Sequence, residues 1–188
     1  LLYMVPWPAA GFYTQVPLSS VEVLRGSRFR TFSPMTNRFA ALVGANPVLV
    51  QAAELAQAFA TGIANAMVTS AQTGVDTSAW DYAKVFTPAT FSMTKNAVLV
   101  SRRAMEALPA DQRAAVLDQA RRAEERGWRY AEEAQVAAER RLAERGLQIG
   151  TVAPEVQAQF DQISRTMAEE WVARAGEDGR RLLEQLRG

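Results

Sequence analysis

The sequence predicts an α/β protein with a mainly parallel sheet and one long helix. Between residues 28 and 70, strand-like runs alternate with helix-like runs at the spacing of βαβ units. A charged, alanine-rich segment at residues 110–145 has apolar residues recurring on one face, and as a continuous helix it would be about 54 Å long. A chain of 188 residues, 48% hydrophobic, is long enough for one sizeable domain or two small lobes.

The first elements frame the predicted sheet. Residues 1–5 have the character of a buried strand, and residues 6–13 read as a turn-rich loop that carries aromatic side chains. A helix-cap signal lies at Ser19 or Ser20. Because residues 1–5 lack the basic segment and the cleavage site of a signal peptide, we expect the chain to begin inside a longer protein.

The βαβ units follow. Strands are predicted at residues 28–32, 48–51 and 64–68, and helices at residues 34–43 and 52–61. Ser33 with Pro34 provides a cap and a favourable first helical position, and Gly44 and Gly62 end the two helices.

The C-terminal part is mostly helical. A strand is predicted at residues 97–100, and the long helix starts behind Pro109, with Gly127 as a possible kink. The final predicted elements are a strand at residues 146–149, a helix from Pro154, a break at residues 175–179 and a helix at residues 180–186.

Composition excludes several function classes. The formal charge of +1 arises from 21 basic and 20 acidic residues without a basic cluster, so nucleic acids and anionic membrane surfaces are poor partners. With no cysteine and no histidine, the chain has no thiolate and lacks the commonest general base and metal ligand, and we predict no metal or cofactor. No apolar run approaches the ~20 residues needed to cross a bilayer.

Polar residues at the ends of the predicted strands indicate a ligand site. In open α/β sheets, ligands bind beyond the carboxyl ends of the strands, and three pairs of residues lie there: Arg30 with Thr31, Val50 with Gln51, and Thr69 with Ser70. A guanidinium offers a carboxylate two parallel hydrogen bonds, so Arg30 in a cleft predicts an organic-acid ligand. The alternative is a solvated surface arginine.

Further candidates flank this site. The aromatic residues Trp7, Phe12 and Tyr13 either form a wall of the ligand pocket or pack between lobes. Asn96 either lines the cleft or, with Lys95, belongs to a solvated loop.

Several segments together resemble the substrate-binding subunits of tripartite ATP-independent periplasmic (TRAP) transporters, of the dicarboxylate-binding type. That pattern runs Gly-x-Lys, an apolar residue and Arg; then Gly-Ala-x-Pro; then Glu; and then Ala-Leu-x-x-Gly-x-x-Asp-Gly. The corresponding segments are residues 24–30, residues 44–47, Glu54 and residues 58–66. Phe59, Asn65 and Ala66 depart from the last pattern without breaking its register. The similarity continues through residues 98–101, residues 108–109 and the long helix.

The resemblance implies a two-lobe fold like that of periplasmic binding proteins, with a long helix bridging the lobes and the N-terminal part missing. The implied organisation is a ligand-binding α/β lobe at residues 1–100 and a crossover strand end with the bridging helix at residues 101–145. Residues 146–188 would supply a C-terminal strand and helices that pack on the lobes.

The resemblance also implies a function. The protein would capture a small organic acid in the periplasm and deliver it to the membrane permease, with no bond made or broken. Arg30 matches the family's carboxylate clamp, and Thr69 and Ser70 match positions that contact the ligand. Ala52 stands where some members have a ligand-packing aromatic, and Ala10 lies near a second arginine of the sialic-acid binders, which argues against sialic acid.

Two other functions remain open on the residues alone. The charged helices could form a scaffold that binds partner helices, although bulky apolar residues are not sustained over several heptads. An enzyme would have to pair Asp76 or Asp81 with Lys84 or Lys95 as acid and base.

Overall fold

The structure is a computed structural model that describes residues 1–92 and 94–187. The strands are β1 (Tyr3–Pro6), β2 (Ala10–Thr14), β3 (Arg28–Thr31), β4 (Asn46–Leu49), β5 (Ala66–Ser70), β6 (Val85–Pro88), β7 (Lys95–Val98) and β8 (Gln148–Ile149). The helices are α1 (Pro34–Leu42), α2 (Leu55–Ala60), α3 (Ala71–Asp76), α4 (Arg102–Glu106), α5 (Ala110–Glu144) and α6 (Pro154–Arg187), with short 3₁₀ turns at Val21–Leu24, Ala52–Glu54 and Ala79–Asp81.

Six strands form the main sheet in the order β4-β3-β5-β2-β6-β8. β3 runs parallel to β4 and to β5, and β6 runs parallel to β8. β2 is antiparallel to both of its neighbours, β5 and β6. The predicted α/β class with a mostly parallel sheet is therefore confirmed.

The prediction of a loop over residues 6–13 is wrong in its second half, because residues 10–14 form the buried inner strand β2. Glycine is uncommon inside strands, so Gly11 makes this strand hard to predict from the sequence. A Cβ on Gly11 would lie 2.5 Å from the carbonyl oxygen of Thr87, so only glycine fits between the strands.

Helix α1 begins as predicted. The Ser33 hydroxyl accepts a hydrogen bond from the Thr36 backbone N–H, and the Thr36 side chain accepts one from the Ser33 N–H. This cap fixes the exit of β3, the strand that carries Arg30. The next strand, β4, starts two residues earlier than predicted and lies at the sheet edge, where Pro47 needs no ladder partner for its missing N–H.

A separate antiparallel ribbon of β1 and β7 packs against α5. β1 is half-buried rather than fully buried as predicted. α5 is one continuous helix of 35 residues, so the predicted kink at Gly127 is absent from it. Gly127 instead allows close contact, since a Cβ there would lie 2.6 Å from Val5 Cγ2. α5 also packs on α3 and thereby connects the ribbon to the main sheet.

The main sheet has an apolar core on each face, because successive side chains of a strand point to opposite sides. Tyr13 belongs to one core, with Met67 and Leu142. Phe12 belongs to the other, with Phe29. α6 covers this second face and is broken at Gly176, where φ is 67°. Within residues 1–92 and 94–187, none of the helices has the length and hydropathy that a bilayer crossing requires.

Candidate functional site

A cavity of about 400 Å³ lies where β3 and β5 end and the antiparallel β2 begins. The carboxyl ends of parallel strands converge there, as the sequence predicts. Five of the predicted site residues line this cavity: Trp7, Arg30, Thr69, Ser70 and Asn96.

Arg30 lies in the wall of the cavity and is 3% exposed. Its Nε donates a hydrogen bond of 2.8 Å to the carbonyl oxygen of Val50, and its guanidinium carbon lies 4.8 Å from the centroid of the Phe32 ring. Both contacts hold the guanidinium plane in place. Within the described residues, its two terminal amino groups make no hydrogen bond to the protein.

The charge of Arg30 is not balanced. In the part of the chain that the structure describes, no salt bridge involves Arg30. Burial lowers the pKa of the Arg30 guanidinium, and the proximity of Tyr82 acts in the opposite direction. Because a buried charge is unfavourable without an opposite charge, this wall of the cavity is complementary to an anion.

Ser70 and its neighbours form a hydrogen-bonded group in the same wall. The Ser70 hydroxyl oxygen lies 2.9 Å from Trp7 Nε1, 3.1 Å from the Thr73 backbone nitrogen and 3.0 Å from Thr73 Oγ1. Ser70 is 2% exposed, while Thr73 is half-buried and Trp7 is 40% exposed. Residues 63 positions apart in sequence thus meet at the cavity.

Thr69 and Asn96 line the cavity from two different sheets. Thr69 belongs to β5 and is buried, whereas Asn96 belongs to β7, is exposed and pairs with Val5 in the ribbon. The ribbon therefore contributes directly to the site. Contact of these side chains with a ligand stays a prediction.

Two of the predicted site residues, Phe12 and Thr31, are not among the residues that line this cavity. Phe12 is fully buried in the core on one face of the sheet, with its ring stacked on Phe160 at 5.0 Å between centroids. Thr31 follows Arg30 in the same strand, so its side chain points to the opposite face. Its hydroxyl is buried and has no hydrogen-bond partner within the described residues.

Sequence reasoning missed Phe32 and Thr73 as cavity residues. Phe32 is the last residue of the predicted strand and lies just beyond the observed β3, two residues after Arg30, where an aromatic side chain signals a stacking partner. Thr73 stands three residues after Ser70, the spacing of a helix cap, and the Ser70 hydroxyl indeed caps α3 through the Thr73 N–H.

A second cavity, of about 770 Å³, lies between α1 and α6 and does not contain Arg30. Its walls are largely apolar and include Met35, Phe160 and Trp171. Arg38 also lines it, but the Nε of Arg38 donates a 2.9 Å hydrogen bond to Glu170 across the groove. The charge of that arginine is already balanced by the protein.

Comparisons with known proteins agree on one family. The family model "Bacterial extracellular solute-binding protein, family 7" matches residues 9–175. No curated protein sequence matches the chain.

Solved structures with the same fold include relatives of known ligand. The chain is similar to DctP7, an extracytoplasmic solute receptor of Bordetella pertussis that binds pyroglutamic acid, with 40% identity and a TM-score of 0.93 over 100% of this chain and 62% of that chain. DctP6 of the same organism, which also binds pyroglutamic acid, gives 36% identity and a TM-score of 0.94 over the same shares.

A third solved structure comes from a marine metagenome. It is a TRAP solute-binding protein specific for pyroglutamate, 30% identical, with a TM-score of 0.87 over 95% of this chain and 59% of that chain. The chain thus spans about 60% of the length of these three structures.

Proposed function

The chain belongs to family 7 of the bacterial extracellular solute-binding proteins, and from this membership we propose that it captures a small organic acid. The acid is delivered to the membrane permease of a TRAP transporter, and capture takes place in the periplasm. The protein binds its cargo without chemical change, so no catalytic residues are assigned.

The observation that carries the proposal is the unbalanced charge of Arg30. A carboxylate that enters the cavity meets a guanidinium whose Nε is already fixed by the Val50 carbonyl and whose amino groups are free of protein acceptors within the described residues. Preorganised donors lose little conformational entropy on binding, so the interaction favours an anion with planar, bidentate geometry. Thr69 lines the same cavity, and its hydroxyl supplies a hydrogen bond that orients the rest of the ligand.

Pyroglutamate is the ligand that we propose. The three solved relatives described above, which are 30–40% identical to this chain, bind it. It carries one carboxylate, which suits the single arginine, and a neutral lactam in place of an ammonium group. The cavity has no carboxylate among its described lining residues, so an ammonium group would gain no partner there.

Calorimetric titration with pyroglutamate and with its uncharged carboxamide tests the proposal. The two compounds share the lactam ring and differ in charge, so only the acid gains the Arg30 interaction. We expect saturable binding of the acid and a loss of at least about 30-fold for the carboxamide, the equivalent of ~2 kcal/mol. Equal affinity for both would contradict the proposal. Recovery of chemically altered ligand after incubation would instead favour an enzyme.

A further inference from the structure

We propose that Thr73 determines ligand specificity by donating a hydrogen bond from its hydroxyl to an acceptor atom of the bound acid. The inference rests on the proposed function and adds a second point of recognition to Arg30. It follows from the direction of the hydrogen bonds around Ser70.

The Ser70 hydroxyl has one proton and two acceptor positions. An indole N–H and a backbone N–H can only donate, so the contacts from Trp7 Nε1 at 2.9 Å and from the Thr73 nitrogen at 3.1 Å occupy both acceptor positions. The Ser70 hydroxyl is then left with its proton alone. Its remaining neighbour, Thr73 Oγ1 at 3.0 Å, must accept that proton.

This assignment fixes the role of the Thr73 hydroxyl. Since Thr73 Oγ1 accepts from Ser70, its own proton points elsewhere, and no other hydrogen bond of this hydroxyl is present within the described residues. Thr73 is half-buried and lines the cavity that contains Arg30. The group that this corner of the wall presents to a ligand is therefore a donor.

Trp7 is a positioning residue in this scheme. Its indole N–H enforces the direction of the Ser70–Thr73 hydrogen bond, and the same bond ties the indole to the cavity wall. Ser70 is predicted from the sequence to contact the ligand, but all of its hydrogen-bonding capacity is used within the protein. Ser70 thus acts through Trp7 and Thr73.

A second donor in the cavity restricts the class of acids that the site favours. Arg30 and Thr73 are both donors, so the favoured acid has a second acceptor in addition to its carboxylate, such as a lactam or keto oxygen. An acid of the same ring size without that acceptor leaves the Thr73 donor unsatisfied in a partly dry site, which is unfavourable.

The test compares Thr73→Val, which removes only the hydroxyl, with Thr73→Ser, which keeps it. Pyroglutamate and cyclopentanecarboxylate, a ring acid without the lactam, are used with the protein in its full length, by calorimetry and by competition. We expect Thr73→Val to weaken pyroglutamate about 5-fold or more, to change cyclopentanecarboxylate by less than about 2-fold, and Thr73→Ser to restore pyroglutamate binding. Equal weakening of both acids, or of neither, would overturn the proposal.

Trp7→Phe tests the direction of the hydrogen bonds separately. It keeps an aromatic ring but frees one acceptor position on Ser70, so Thr73 can turn its proton toward Ser70. We expect the preference for pyroglutamate over cyclopentanecarboxylate to fall by about 2-fold or more, and an unchanged preference would contradict the role of Trp7.

If neither acid binds the unaltered protein, the proposed function falls together with this inference. If both bind through Arg30 and Thr73→Val weakens them alike, only the inference falls.

Discussion

Two cavities within the described residues differ both in size and in how the charge of their arginine is balanced. The cavity between α1 and α6 has about 770 Å³ and contains Arg38, which is hydrogen-bonded to Glu170. The cavity at the strand ends has about 400 Å³ and contains Arg30, which is buried and has no salt bridge within the described residues. The charge of the arginine in the larger cavity is paired with a carboxylate of the protein, whereas the smaller cavity is complementary to an anionic ligand. Charge balance therefore favours the smaller cavity as the ligand site, whereas volume alone would favour the larger one.

The largest effect on ligand affinity should come from removing Arg30. Arg30→Ala deletes the cation that faces the ligand carboxylate, and we expect pyroglutamate to bind at least about 30-fold more weakly, or ~2 kcal/mol. Arg38→Ala is the matched control, and calorimetry should give the affinity of the unaltered protein. A loss of affinity in Arg38→Ala, with Arg30→Ala unaffected, would mean that the ligand binds in the larger cavity rather than in the smaller one.

Replacing Arg30 should weaken ligand binding but should not destabilise the unliganded protein. Burial lowers the pKa of Arg30, which means that the charged guanidinium is less favourable in the folded state than in the unfolded state at neutral pH. We expect Arg30→Met to leave the free energy of unfolding unchanged or to raise it by up to about 2 kcal/mol in urea denaturation, because an apolar side chain suits the buried position. Arg38→Met loses an ion pair and gains no such benefit. A marked destabilisation by Arg30→Met would mean that the protein itself balances the Arg30 charge.

A smaller effect should come from the polar walls. Thr69→Val keeps the shape of a buried side chain and removes one hydroxyl from the residues that line the cavity. We expect pyroglutamate affinity to fall by about 1 kcal/mol, the usual net contribution of one hydrogen bond. Ser164→Ala makes the equivalent change in the larger cavity and should leave the affinity unaltered. Equal losses in both variants would indicate a general effect on the fold.

The smallest effect should come from pH near neutrality. The sequence contains no histidine and no cysteine, and a guanidinium keeps its proton, so none of the side chains has an ordinary pKa between about 5 and 8. Affinity should be flat over that range and fall below about pH 4, where an α-carboxyl with a pKa near ~3.5 gains a proton and loses its charge. Calorimetric titrations with pyroglutamate across this pH range test the prediction. A steep change in affinity near pH 6.5 would contradict it.

The sequence predicted the fold well where local signals are strong. Ser33 with Pro34 marked the start of α1, and Pro109 marked the start of α5, because capping and proline geometry act within a few residues. The strand β2 was missed because Gly11 and its small neighbours obscure the apolar pattern. The close approach of Thr87 and of the Phe86 ring explains the glycine, and those contacts belong to the tertiary structure.

The site was predictable in its central residue but not in its details. Strand-end placement made Arg30 a candidate beside the alternative of a solvated surface arginine, and the family resemblance matched it to the carboxylate clamp. The alternation of side chains along β3 keeps Thr31 out of the same cavity. The importance of Thr73 could not be read from the chain, since it depends on an indole 66 positions earlier that occupies one acceptor position of Ser70. This series of hydrogen bonds, from Trp7 to Ser70 and from Ser70 to Thr73, forms only when the protein is folded.

The most direct test of the central claim is a crystal structure of the protein with pyroglutamate. The account predicts the ligand carboxylate at about 2.7–2.9 Å from the guanidinium nitrogens of Arg30, with the ring in the cavity at the strand ends. Density for the ligand between α1 and α6, with Arg30 left without an anion, would contradict it.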